Sequence, residues 1–317
     1  MTVQHSRLDL SEIGYYLYTI FLFIQNDILT AIIPVILFSI ASAPLCSSIQ
    51  ILPTTLWILL HILQFDLANQ IKAPEEDRLN KPSRPLPAGR ISVRDATILR
   101  WLIAPLCLAY SSLYSIQLVF SSLEMQLLTY WYNELDGDKN WLSKNAILAI
   151  MYGCTELGGT LIAGCDPSRV TETAKLAVQL TIAVFTSTVY CQDFKDVEGD
   201  RLAGRRTVPI MFPIASRLVV GLGLPIWSYL LCCIWDIDWL CTLAFVAYGC
   251  FVGGRFLCLR TRDADKRSCK YYSVWFSLHH LLPGYWNYFH DNDDVRVGEL
   301  LQKTWDLFSG TSLLKAF

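Results

Sequence analysis

Long, almost uninterrupted apolar runs make up most of this chain, near 27–45, 51–70, 96–115, 116–131, 145–164, 172–192, 213–234, 237–257 and 271–289. An apolar helix needs about 20 residues to cross a bilayer. Runs of that length predict an all-α, polytopic membrane protein with about nine transmembrane helices, read as one domain over 1–317. The segment from Ile13 to Ile24 predicts an additional interfacial helix.

Composition points the same way. The chain is 53% hydrophobic and only 17% charged, whereas a soluble domain carries roughly a quarter of its residues charged. A net charge of -2 excludes a general nucleic-acid binder. The eleven cysteines form no CxxC and lie mostly inside apolar runs (Cys107, Cys154, Cys191, Cys232, Cys233, Cys250), so they read as small core residues in a reducing setting. His5, His61, His279, His280 and His290 are too scattered for a zinc site, and no nucleotide-binding or hydrolase motif occurs. No cleavable targeting segment is expected.

Lys and Arg divide unevenly between the gaps. Residues 71–95 hold Lys72, Arg78, Lys81, Arg84, Arg90 and Arg94; the gap around 139 holds Lys139 and Lys144; the gap after the sixth run holds Lys195, Arg201, Arg205, Arg206 and Arg217. Residues 255–270 add six more, among them Arg260, Arg262 and Arg267. Gaps near 46–50, 115, 165–171 and 235–238 offer Arg169 and otherwise acids or neutral residues. By the positive-inside rule the basic gaps face the cytosol, with the endoplasmic reticulum the expected membrane.

Two of these basic gaps follow matched runs and begin with acids, which gives the chain a rough internal symmetry between 69–89 and 193–209. Such paired polar interruptions point to a binding site between halves. Asp193, Asp196 and Asp200 are spaced by three and four, which on a helix stacks three carboxylates on one face. At a membrane surface that cluster calls for a cation, and hard oxygen ligands suit Mg²⁺. In the first segment Asn69 offers a carbonyl oxygen and Glu75, Glu76 and Asp77 offer carboxylates, with Lys81, Arg84 and Arg90 close behind. Acids beside bases suit a metal-bridged diphosphate. A transporter would instead place its ionisable groups near the midplane of broken helices.

The stretches NQIKAPEEDRLNKPSRPLPAGRIS and DFKDVEGDRLAGRRTVP resemble the two signatures of the UbiA superfamily of intramembrane prenyltransferases over residues 25–290. That resemblance implies a nine-helix fold around a central cavity. It implies Mg²⁺ and the substrate diphosphate on Asn69, Asp77, Asp193, Asp196 and Asp200, with Asp77, Asp196 and Asp200 central to catalysis. Glu76, or Glu75 beside it, is the expected replacement for the acid missing from the first motif, and Lys81, Arg84, Arg90, Lys144, Arg201 and Arg205 are the cations expected to hold an allylic diphosphate. The usual first motif has acids four and eight residues after its Asn; here Ala73 stands at plus four and Asp77 at plus eight. This departure, with WYNELDGDKNWLSKN at 131–145, is similar to a fungal branch that includes membrane-bound sesquiterpene cyclases of the bergamotene-forming kind. The resemblance therefore implies ionisation of farnesyl diphosphate and cyclisation, with transfer of the prenyl group to an aromatic acceptor as the alternative. Tyr130, Tyr132, Tyr152, Trp275 and Phe276 are candidates to face the resulting cation. No obligate protein partner is implied beyond the bilayer itself.

Overall fold

The structure, a computed structural model, describes residues 10–290; His5 and both ends of the expected single domain lie outside them. The described residues contain no β-strand and form fourteen helices. They run α1 (Leu10–Ile24), α2 (Ile33–Ser42), α3 (Ile51–Lys72), α4 (Pro74–Asn80), α5 (Val93–Ser112), α6 (Ile116–Asn133) and α7 (Trp141–Ala163). There follow α8 (Glu172–Thr188), α9 (Val197–Leu202), α10 (Val208–Met211), α11 (Ala215–Ile234), α12 (Trp239–Cys258), α13 (Arg262–His279) and α14 (Leu282–Phe289).

The polar gaps start the long helices. Ser92, Ser115, Asn140, Thr171, Asp238 and Thr261 each accept, through the side chain, a backbone N–H of the first turn of α5, α6, α7, α8, α12 and α13. Such caps satisfy donors that the helix cannot.

Nine full spans do not emerge among the described residues. Five helical segments are long and apolar enough to cross a membrane: Ser48–Lys72, Trp141–Ala163, Glu172–Lys195, Ala215–Ile234 and Trp239–Cys258. A sixth exists if Ser11–Ile24 and Ile28–Ser42, which meet at 59°, count as one broken span. The expected interfacial helix is thus the first arm of this bent pair, joined through a π-turn at Ile28–Ile32. Helices α5 and α6 are long enough but carry Arg94, Asp95, Arg100 and Glu124, and α13 opens on Arg262, Asp263, Asp265, Lys266 and Arg267. The run at 271–289 is moreover cut between His279 and Leu282, where α13 gives way to α14.

Packing depends on close approach, since between helices in lipid there is little hydrophobic drive and contact must come from fit. Trp57 of α3, fully buried, presses its six-membered ring on α7 where Gly158 stands; a Cβ there would sit 2.1 Å from the indole. The core continues through Phe38, Phe185, Phe194, Tyr272, Trp275 and Phe276. Outward faces stay apolar, as Ile98, Leu102, Phe120, Leu127, Leu222, Ile226, Leu240 and Leu243 show.

One cysteine pair departs from the expectation of unpaired core residues. Cys46, before α3, and Cys165, after α7, form a disulfide with Cα atoms 5.0 Å apart. Cys107, Cys154, Cys191 and Cys232 are buried and free, as expected. The disulfide sits at the starting end of α3 and the finishing end of α7, away from Lys72 and Trp141 at the other ends of the same helices.

Candidate active site

At that other end the two polar segments meet. Helix α3 stops at Ala73 (φ -136°, ψ 59°), and Pro74, which lacks an N–H, opens the short α4. Its first turn carries Glu75, Glu76 and Asp77, where acids oppose the helix dipole favourably. In the second segment the expected continuous helix does not form. Val189–Lys195 is a 3-10 turn, Asp196 breaks it (φ -111°, ψ 5°), and α9 begins at Val197. The N–H of Asp196 donates to Asp193 O at 3.0 Å, an i to i-3 bond that tightens the turn. Asp193, Asp196 and Asp200 nevertheless all reach one cavity. The short helices α4 and α9 touch at Gly199, where a Cβ would meet Asn80 Nδ2 at 1.9 Å.

That cavity, of about 250 Å³, has a charged end and an apolar end. Asn69, Glu76, Asp77, Lys81, Arg84, Lys144, Asp193, Asp196, Asp200 and Arg205 line the first; Ile62, Phe65, Met125, Leu148, Met151, Tyr152 and Phe185 line the second. Tyr132 joins the two, its ring 5.5 Å from Phe65 and its hydroxyl toward Lys144 and Arg205. Tyr152 and Phe185 rings lie 4.7 Å apart, and Phe276 backs both at 5.2 and 5.0 Å.

Most of the charges are already paired. Arg84 Nη1 donates to both carboxylate oxygens of Asp77, at 2.8 and 2.9 Å. Lys144 Nζ donates to Asp193 at 2.7 Å. Arg205 donates to Glu76 at 2.6 Å, to Asp138 at 2.8 Å and to Asp200 at 3.2 Å, so one guanidinium ties the first segment, the 134–140 loop and the second segment together. Lys72 reaches Asp138 as well, at 2.6 Å. Burial pushes the Glu76 carboxyl above the usual carboxylate range, with Arg205 pulling it back. Burial, helped by the neighbouring Arg84, holds the Lys81 ammonium below its ordinary value.

Asn69, Lys81 and Asp196 make no side-chain hydrogen bond or ion pair among the described residues, and Asp193 and Asp200 each keep one buried carboxylate oxygen without a donor. Among those residues no three His, Cys, Asp or Glu side chains converge as a closed metal cage requires. Mg²⁺ needs no such cage, because it binds through one or two carboxylates together with phosphate oxygens and water. Free carboxylate oxygens beside unpaired cations fit a Mg²⁺ that arrives with a diphosphate.

Some expected site residues lie elsewhere. Arg90 stacks on Tyr15 at 4.2 Å and donates to Thr19 at 3.1 Å, and Arg201 is exposed on α9; neither lines the cavity. Glu75 turns outward to Arg78 at 2.9 Å. Tyr130 is exposed, and Trp275 packs on Phe245 and donates to Ser228 behind the cavity wall. Conversely, Asp27 and Asp66 line the charged end, and Asp138 positions Arg205. Asp66 carried a usable signal, an acid inside an apolar run, which is costly unless it has a role.

The sequence matches the UbiA prenyltransferase family over residues 30–278. It is 32% identical over 278 residues to the fumagillin beta-trans-bergamotene synthase of Aspergillus fumigatus, covering 84% of this chain and 92% of that protein. Somaliensene A/B synthase of Streptomyces somaliensis is 29% identical over 219 residues, 67% of this chain and 71% of its own. Among solved structures, a UbiA homologue from Archaeoglobus fulgidus bound to GPP and Mg²⁺ superposes with a TM-score of 0.62 at 16% identity, covering 84% of this chain and 99% of that one. The last likeness speaks for the fold alone.

Proposed function

This chain belongs to the UbiA prenyltransferase family of intramembrane enzymes, and on that premise we propose that it is a Mg²⁺-dependent terpene cyclase that ionises farnesyl diphosphate and closes the released chain on itself. The observation that carries this reading is the two-ended cavity, which pairs unbonded carboxylate oxygens and cations at one end with an apolar, aromatic wall at the other. Similarity to two terpene synthases supports cyclisation, while the 28% identity over 230 residues to a polyprenyl transferase of Hericium erinaceus keeps transfer to an acceptor as the alternative.

Asn69, Glu76, Asp77, Asp193, Asp196 and Asp200 would hold Mg²⁺, which supplies Lewis-acid withdrawal of charge from the leaving diphosphate. Lys81, Arg84, Lys144, Lys195 and Arg205 are the cations that line the cavity, and Arg84, Lys144 and Arg205 would exchange part of their carboxylate bonding for phosphate bonding. At the apolar end Tyr132, Tyr152 and Phe185 present ring faces to a developing allylic cation and keep water away from it. Capture of that cation by water would give a linear alcohol, so a dry wall is part of the chemistry.

Helices α5, α6 and the α13–α14 pair complete a nine-helix bundle in this reading; Arg100 bonds Glu134 and Gln126 bonds the Ala104 carbonyl within it, while Glu124, exposed midway along α6, is reached by Cys154 Sγ at 3.5 Å. Orientation follows from two independent signs. Basic loops gather at the cavity end, and the Cys46–Cys165 disulfide closes at the far end, where an oxidising lumen would preserve it. The cavity then opens to the cytosol from the endoplasmic reticulum membrane.

The test is to incubate microsomes carrying the protein with farnesyl diphosphate and Mg²⁺, first alone and then with an aromatic acceptor, and to analyse an organic overlay by gas chromatography. A terpene hydrocarbon without acceptor, silenced by EDTA and restored by Mg²⁺, is expected. A prenylated aromatic formed only when acceptor is supplied would replace cyclisation by transfer.

A further inference from the structure

Six aspartates are buried among the described residues, and five of them have a bonded cation: Asp77 has Arg84, Asp138 has Lys72 and Arg205, Asp193 has Lys144, Asp200 has Arg205, and Asp265 has Arg217. Asp66 is the exception. It is 1% exposed, its Oδ2 has no hydrogen-bond partner, and it lines the charged end of the cavity. Facing it, side chain to side chain, is a second acid, Asp27. Asp27 sits at the break between α1 and α2 and accepts from Thr30 at 3.0 Å through Oδ1. Two carboxyls sharing one buried space without a bonded base repel each other unless a cation or a proton comes between them.

The helix register of α3 adds a third oxygen donor beside the pair. Residues 66, 69 and 73 stand at i, i+3 and i+7, so all three share one face, with Asn69 in the middle. On the far side of Asn69 that face offers only the methyl group of Ala73.

We infer that Asp27 and Asp66 form a cation subsite separate from the acids of 193–200, taking one Mg²⁺ together with the Asn69 carbonyl oxygen, diphosphate oxygens and water. The inference rests on the diphosphate reading of the cavity proposed above. Two protein carboxylates, one neutral carbonyl and a phosphate-bearing ligand make up the oxygen set Mg²⁺ favours. The break at Asp27 belongs to the same device, since irregular backbone at membrane depth is tolerated where it lines a polar cavity.

The test uses purified full-length protein in detergent, with Mn²⁺ as a paramagnetic probe and inorganic diphosphate as co-ligand, free Mn²⁺ being read by electron paramagnetic resonance. Asp66→Asn and Asp27→Asn preserve shape while removing a charged ligand. Each is expected to bind one Mn²⁺ fewer per chain than the wild type, or to bind its weakest one at least about tenfold less tightly, with no further loss in the double variant. Two variants at separate elements guard against misfolding of either, and both must elute as the wild type does. An unchanged Mn²⁺ count in either well-behaved variant overturns the subsite, and does so even if turnover falls, because the pair would then be handling a proton. A wild type that takes up no Mn²⁺ with diphosphate overturns the underlying reading of the cavity as well.

Discussion

Arg205 offers the sharpest test of how this site is held together. Its side chain is 9% exposed and contacts Glu76 at 2.6 Å, Asp138 at 2.8 Å and Asp200 at 3.2 Å, acceptors whose own side chains are 12%, 2% and 3% exposed. Pairs this dry are little screened, and removing one member leaves the others as uncompensated charges, typically at a cost of about 3–5 kcal/mol. Arg205→Ala should therefore destabilise the protein by about that amount and also abolish turnover. Asp138→Asn is milder: Arg205 keeps Glu76 and Asp200, and Lys72 keeps Asp136 at 3.1 Å. Asp138 accepts from both Lys72 and Arg205; the Asn oxygen can keep one of these bonds, as a neutral one, and the charge-assisted bond that is lost outright predicts about 1.5–3 kcal/mol. Glu75→Gln, which breaks only the exposed pair with Arg78, should change stability by less than about 1 kcal/mol. Unfolding in mixed micelles by increasing SDS, followed by tryptophan fluorescence, ranks the three. If Arg205→Ala unfolded like Glu75→Gln while losing all activity, the guanidinium would be a substrate ligand only, and its role as a strut between the two segments would be wrong.

Three further outcomes are expected. Gly199→Ala displaces the Asn80 side chain, because the new methyl would overlap its amide, and so disturbs the Asn80–Arg262 bond; a strain of about 1–3 kcal/mol should appear as earlier unfolding in SDS, and a wild-type midpoint would show that the α4–α9 contact is not tightly packed. Phe185→Ala opens the ring wall between Tyr152 and Phe276, so linear alcohols should rise in the overlay before diphosphate release slows; an unchanged product ratio would remove Phe185 from the cation wall. Maleimide labelling of denatured protein should count two more thiols after reduction than before, and Cys46→Ser should abolish that difference, whereas equal counts for the wild type would mean that Cys46 and Cys165 are not paired.

Much of the fold was legible because apolar run length is a one-dimensional signal. Runs 51–70, 145–164, 172–192, 213–234 and 237–257 each fall on one of the five apolar helices of crossing length, with ends shifted by a few residues. The number of spans was less legible. Run length ignores angle, so the polar break at 25–27 separates two arms without announcing that they meet at 59°, and a helix such as α13 that is charged along its first half and apolar along its second reads as a gap followed by a run.

The candidate site was legible for a different reason: short motif spacing survives without knowledge of the fold. Asn69, Asp77, Asp193, Asp196 and Asp200 lie within two local segments, and the chain brings both to one cavity. What stayed hidden is the pairing between segments. Asp138 reads locally as part of a polar turn, and its partners Lys72 and Arg205 are 66 and 67 residues away in the chain; Cys46 and Cys165 are 119 apart. Charge counting also conveys a wrong picture of availability. A row of Arg and Lys beside a row of Asp and Glu suggests open cations awaiting phosphate, yet Arg84, Lys144 and Arg205 are each engaged with a buried acid. In the proposed function an arriving diphosphate would compete with carboxylates for them, and a divalent cation taking over those carboxylates would free the bases for the phosphate. Metal and diphosphate would on this account bind cooperatively, each making the other's partners available, a coupling that neither row of charges discloses by itself.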